Sequence, residues 1–218
     1  MLWVGQFGIA DGTAREETPW VGVFPDRGRE EDASDLYVVV EPALPGSEEF
    51  CSELKTAIGG VFHKSKVSLT GGVLRALKAA HENLREWNRR SLRDHRVAAG
   101  VSCLAVHGQE AYLAQVAPAS AAVYHDAFLT VLEPAMQDAV EPLGLFEEFW
   151  PEFTRFEIQE GDRLLLLSPA LAHLLEEDGI ASALDLPAEE VLSALYLKAR
   201  SLPNCGALLV AAVPDETL

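Results

Sequence analysis

Three runs of consecutive apolar residues constrain this chain more than any other feature: "LYVVV" (36–40), "RLLLL" (163–167) and "GALLVAAV" (206–213). Each is short and bounded by polar or turn-forming residues, which reads as a strand. A strand that is apolar at every position has two faces to bury, so layers must cover both sides of its sheet. "RLLLL" is opened by the turn Glu160-Gly161-Asp162 and broken at Ser168-Pro169, after which "ALAHLL" resumes as helix. That strand-to-helix junction holds no residue able to bind a metal ion or move a proton.

The covering layers are legible in the helices. Ser47–His63 begins with Ser-Glu-Glu, an N-cap followed by acids that suit the positive end of the helix dipole. Ser68–Asp94 carries Val73, Leu74, Leu77, Ala80, His81, Leu84 and Trp87 as one apolar stripe, with Gly71-Gly72 weakening its first turn. Further helices are expected over 170–177, 179–185 and 188–201, the last opened by Pro187 and two acids.

Between the helices lie more strands. Leu2–Ile9 and Trp20–Phe24 flank the turn-rich segment Ala10–Pro19, and 25–35 is a polar loop. From Arg96, "RVAAGVSCLAVH", "EAYLAQVA", "SAAVYH" and "FLTVLEP" read as an antiparallel meander. The acidic, aromatic connection "LGLFEEFWPEF" leads to the strand "TRFEIQ". Two packed sheets with a helical layer outside each use every element. The expected fold is therefore α/β (α+β): a four-layer αββα sandwich of two mainly antiparallel sheets. No linker divides 1–218, so one domain is expected, on its own or within a longer chain.

Composition narrows the function classes. With 34 acids against 17 bases the net charge is −17, which repels phosphate backbones and anionic lipid and suits neutral or basic partners. Cys51, Cys103 and Cys205 are odd in number and far apart, fitting buried free thiols in a reducing, cytoplasmic setting. The opening "MLWVGQFGIADGT" has no basic n-region, and the longest apolar stretch is too short to span a bilayer.

Most motif candidates read as structure. Gly100-Val101-Ser102-Cys103-Leu104 lacks the last glycine of a nucleophile elbow and lies mid-strand, where Ser102 is a small core residue. The six histidines (63, 81, 95, 107, 125, 173) show no metal-binding spacing, and His81 is a packed core side chain. Arg85, Arg89, Arg90, Arg93 and Arg96 suit a helix C-terminus with nearby acids. The paired acids at 30–31, 48–49, 147–148, 176–177 and 189–190 read as solvated faces, and no glycine-rich phosphate loop occurs.

From Gly5 to Val213 the ordered elements and several fragments resemble the metal-dependent PP2C-type serine/threonine phosphatases. "GTAREETPW" supplies Gly12 and Arg15 in step with the family's opening, with Thr18-Pro19-Trp20 where Asn-Glu-Asp stands. "LYVVVEPALPG" keeps the buried strand but gives Glu41-Pro42 in place of Asp-Gly, and Gly100-Val101-Ser102 matches a Gly-Thr-Thr strand. "QVAPAS" puts Pro118 at an aspartate, Ser168-Pro169-Ala170-Leu171 replaces Ser-Asp-Gly-Leu, and Pro203-Asn204 replaces Asp-Asn.

The resemblance implies what those positions once did. Active members hold two manganese or magnesium ions through strand-end aspartates and use them to activate an attacking water. Hard dications need several oxygen ligands, and paired ions need bridging carboxylates. Here the four matching positions read Trp20, Glu41, Pro169 and Pro203, so Glu41 is the one remaining metal candidate, while Arg15 could still meet an anion. The expectation is a pseudophosphatase that binds a protein partner and needs no cofactor. The alternatives are a phosphatase with a manganese or magnesium site rebuilt from Asp11, Glu17, Glu41 and Asp162, and a structural domain self-associating through Phe146, Phe149, Trp150 and Phe153.

Overall fold

The computed structural model describes residues 1–15, 17–26, 34–65, 67–134 and 141–214. The acidic pair at 30–31 and most of the 25–35 loop lie outside the described residues.

A six-stranded sheet is ordered β2-β1-β11-β10-β7-β8 and a five-stranded sheet β3-β4-β5-β6-β9. The strands are β1 (Leu2–Ala10), β2 (Thr13–Arg15), β3 (Val21–Phe24), β4 (Asp35–Pro42), β5 (Ala99–His107), β6 (Glu110–Val116), β7 (Ser120–His125), β8 (Phe128–Leu132), β9 (Glu152–Glu157), β10 (Arg163–Leu167) and β11 (Cys205–Ala212). All pairings between them are antiparallel. Helices α1 (Glu48–Lys64) and α2 (Leu69–Arg90) cover the five-stranded sheet; α3 (Pro169–Leu184) and α4 (Ala188–Ala199) cover the other. The expected four-layer sandwich is the observed fold.

The apolar runs explain the layering. In β10, Leu164 and Leu166 join the cluster between the sheets, while Leu165 and Leu167 join the cluster beneath α3 and α4. β11 divides the same way, with Leu208 and Val210 inward and Ala207, Leu209 and Ala211 outward. This is the period-two alternation of a strand with an apolar partner on each side. Each fully buried leucine contributes about 1.5–3 kcal/mol, so these two central strands hold the six-stranded sheet between its layers.

The structure departs from the sequence reading at several places. β6 and β7 are not neighbours in a meander, because β7 pairs with β10 in the opposite sheet. The connection 117–119 can extend about 13 Å, enough to step between sheets packed about 10 Å apart. Strand periodicity is identical in either sheet, so the pattern carries no trace of that step. The Ala10–Pro19 segment contains the short strand β2. Ser47 does not cap α1 with its side chain; its Oγ accepts from Ala98 N at 3.0 Å instead. α2 ends at Arg90; of its expected stripe Leu74 and Trp87 are exposed, and Ala76 and Asn88, outside that stripe, are buried. The two helices expected after Pro169 are present within α3, separated by a kink at Glu176, whose φ of 54° breaks the helical path slightly earlier than expected.

Other expectations hold. The three cysteines are buried free thiols. Ser102 is buried within β5, its Oγ accepting from Gln115 Nε2. Arg89 and Arg90 both pair with Glu86 in the last turns of α2. Among the described residues, no helix is long and apolar enough to cross a membrane.

Candidate functional site

The family-matched positions converge at one end of the sandwich, and paired glycines make the room. Gly8 of β1 lies opposite Gly206 of β11. A Cβ on Gly8 would overlap Thr18, and one on Gly206 would stand 2.7 Å from Val21 Cγ2 and 3.2 Å from Trp20 Cβ. The Thr18–Val21 segment therefore lies directly on the six-stranded sheet. The Trp20 indole Nε1 ties it there by donating to Ile9 O at 3.0 Å, while Val40 N of β4, donating to Trp20 O at 2.8 Å, ties it to the five-stranded sheet. Lys55 of α1 donates its Nζ to Thr18 O and, at 2.9 Å, to Val21 O. Trp20 ends 4% exposed. A large apolar side chain packs where the resemblance placed a metal-binding aspartate.

Glu41 and Pro42 close β4 opposite Gly100 and Ala99 of β5. Gly100 has no room for a side chain, since a Cβ there would overlap the backbone of Pro118. The partly buried Glu41 carboxyl has no hydrogen-bond partner among the described residues, and burial pushes its pKa up to about 8. It is neutral over most of the physiological range, which weakens it as a ligand for a hard cation. Its charge is felt by thiols on both sides. Burial first and Glu41 second raise Cys51 of α1 to about 12 and Cys205 of β11 to about 11.

The remaining positions complete this end. Ser168 is fully buried, its N–H donating to Gly206 O at 2.9 Å, yet among the described residues its Oγ has no partner, and neither has the buried Ser120 Oγ. Pro169 occupies the first turn of α3, where its missing N–H costs nothing. Pro203 is exposed; its carbonyl accepts from Gly12 N at 2.8 Å, and Asn204 Oδ1 accepts from Asp11 N at 2.9 Å. A cavity of about 580 Å³ lies against Asp11, Trp20, Gly46, Glu48, Glu49 and Asn204. Arg15 is exposed on β2 opposite Gly8 and does not line it.

One acid of the rebuilt-site alternative falls elsewhere. Asp162 sits at the opposite end of β10, six residues and about 20 Å of strand from Ser168. There it closes a turn, accepting from Gln159 N at 2.8 Å and pairing with His125 Nδ1 at 2.6 Å. Glu17 is exposed and acts on Lys55. Among the described residues no group of three His, Cys, Asp or Glu side chains converges enough to hold a metal ion. The donors present at this end do not make a two-metal set.

Sequence reasoning missed Lys55, the Cys51 and Cys205 thiols beside Glu41, and the Gly8–Gly206 floor. A glycine inside a strand marks a close approach, so the two glycines were readable; the partners of Lys55 were not. Of the four aromatics that could serve either an interface or the core, Phe149 serves the core, stacking on the buried His81 at 4.7 Å.

No protein-family model and no curated protein matches the sequence. Solved structures do match. The Streptococcus agalactiae (S. agalactiae) serine/threonine phosphatase superposes with a TM-score of 0.79 at 15% identity, covering 98% of this chain and 100% of its own. Stp1, the serine/threonine phosphatase of Staphylococcus aureus, gives 0.77 at 14%, covering 98% and 96%. The catalytic domain of the phosphatase PstP, solved with two manganese ions, gives 0.70 at 15%, covering 98% and 100%. The end-to-end coverage establishes the architecture: this chain has the fold of the PP2C-type serine/threonine phosphatases.

Proposed function

We propose that this chain is a catalytically inactive PP2C-like domain, a pseudophosphatase that binds a protein partner as a regulatory module. The supporting observation is Trp20, whose indole is hydrogen-bonded to Ile9 O in the floor of the cleft where a ligand carboxylate would stand. Glu41 alone keeps a carboxylate at the matched positions, and burial favours its neutral form. Two manganese or magnesium ions cannot be shared by one protonated carboxyl. The reading includes one domain over 1–218, a cytoplasmic setting for its reduced thiols, and a neutral or basic partner rather than nucleic acid or anionic lipid, given the net charge of −17.

The test is turnover of p-nitrophenyl phosphate and of phosphoserine and phosphothreonine peptides with added Mn²⁺ or Mg²⁺. The expected rate equals that of the buffer with metal. Turnover that is lost in Glu41→Ala would establish the competing reading, a divergent phosphatase with a rebuilt site.

A further inference from the structure

The connection after β8 ends in a segment held by its backbone, by Leu143 and by Phe149, with other side chains left in solvent. Asn88 of α2 donates its Nδ2 to Gly144 O at 2.9 Å and to Val97 O at 2.7 Å, and accepts from Val97 N at 2.8 Å. Gly144 N donates to His81 Nδ1 at 3.2 Å, Arg85 Nη1 donates to Glu147 O at 3.1 Å, and the Phe149 ring lies on His81. On this pinned backbone Phe146 and Trp150 stand 47% and 73% exposed, around a cavity of about 340 Å³ rimmed by Glu141, Glu147 and Glu148. None of the three carboxylates is in an ion pair among the described residues.

Exposed aromatics held on a rigid segment beside unpaired carboxylates match one ligand chemistry. A lysine ammonium or arginine guanidinium is attracted to the face of a tryptophan or phenylalanine, and the carboxylates complement its charge. Among the described residues Arg85 is the one guanidinium bonded to this segment, so three acids against one base leave the face negative. Of the bases on α2, Arg85 donates to the Glu147 carbonyl and Arg89 and Arg90 pair with Glu86. Two copies at −17 each repel, which disfavours a second copy as occupant.

We propose that the face formed by Phe146, Trp150, Glu141, Glu147 and Glu148 docks a lysine- or arginine-bearing segment of another protein. This deepens the binding-module reading and rests on it for the existence of a partner. It does not depend on the state of the cleft.

The full chain, ¹⁵N-labelled, is titrated with acetylated tetra-arginine, tetra-lysine and tetra-glutamate peptides. The Trp150 indole resonance is expected to shift saturably with the two basic peptides and not with the acidic one. Binding weakens at least tenfold in Trp150→Ala and in a Glu147→Gln/Glu148→Gln double variant, and Trp87→Ala leaves it unchanged. These side chains are exposed, so the variants retain the fold, checked by the remaining spectrum. Absence of a saturable shift overturns the proposal, and so does peptide binding, followed in every variant by the backbone amides of 144–149, that keeps its strength in both. So does a Trp150 shift that follows protein concentration alone, which would identify a second copy as the occupant. Turnover in the phosphatase assay alongside an intact Trp150 response would remove the pseudophosphatase reading and leave this docking face standing.

Discussion

Glu41 and Asp162 are acids at opposite ends of the same sandwich, and the chain treats them differently. Asp162 is 6% exposed and fully engaged, bonded to Gln159 N and His125, with its own carbonyl accepting from Ala212 N. Glu41 is less enclosed than Asp162, yet its carboxyl has no hydrogen bond among the described residues, and burial pushes its pKa up to about 8. A buried acid serving architecture is paid for by hydrogen bonds; one left without them stores destabilisation whenever it is charged. The end around Glu41 also holds the unpartnered Ser168 and Ser120 hydroxyls. Asp162 is fully bonded at one end of the sandwich, whereas the other end leaves one carboxyl and two hydroxyls without partners among the described residues.

The largest expected effect is Glu41→Gln. A folded pKa raised from 4.5 to about 8 means that the native state holds a proton the unfolded chain releases. Stability is then full below about pH 4.5 and falls as pH rises toward 8. The shift corresponds to at most about 5 kcal/mol at about 1.4 kcal/mol per unit. Urea denaturation at pH 8.5 should find Glu41→Gln about 3 kcal/mol more stable than the natural chain, the gain vanishing near pH 4.5. Equal stabilities at both pH values would break the contrast by showing that Glu41 is not held neutral.

Asp162→Ala should move stability the other way. It strands Gln159 N and removes the His125 partner, at a cost of about 2 kcal/mol by the same denaturation measurement. A loss below about 0.5 kcal/mol would make the two acids equivalent. The smallest effect belongs to His125, whose pKa is raised chiefly by its hydrogen bond to Asp162. Its contribution is complete below the pKa of a free histidine and disappears as pH rises through the raised native value. Thermal melts of His125→Asn should therefore differ most from the natural chain at mildly acidic pH and converge in alkali.

Much of the architecture was readable because its strongest elements announce their environment. "LYVVV" and "RLLLL" demand cover on both faces, and the helices supply it. The sheet to which β7 belongs was not readable, because Ser120–His125 presents the same pattern beside β6 or beside β10. Ser47 has the residue type of a cap, but its hydroxyl meets the competing donor Ala98 N, which only tertiary packing brings near. At the site, the identities of Trp20, Glu41, Pro169 and Pro203 were plain in the sequence. Their grouping at one end rests on long-range pairings such as Gly8 with Gly206 and Glu41 with Gly100. Phe149 and Trp150 are adjacent aromatics with opposite fates, one stacked on His81 and the other 73% exposed, and nothing local distinguishes them.

The account turns on whether the end around Trp20 and Glu41 can hold metal ions. Calorimetric titration of the purified chain with Mn²⁺ at pH 7 measures that directly. The prediction is no stoichiometric heat and no difference between the natural chain and Glu41→Ala. Saturable binding of two ions per chain, abolished by Glu41→Ala, would contradict it.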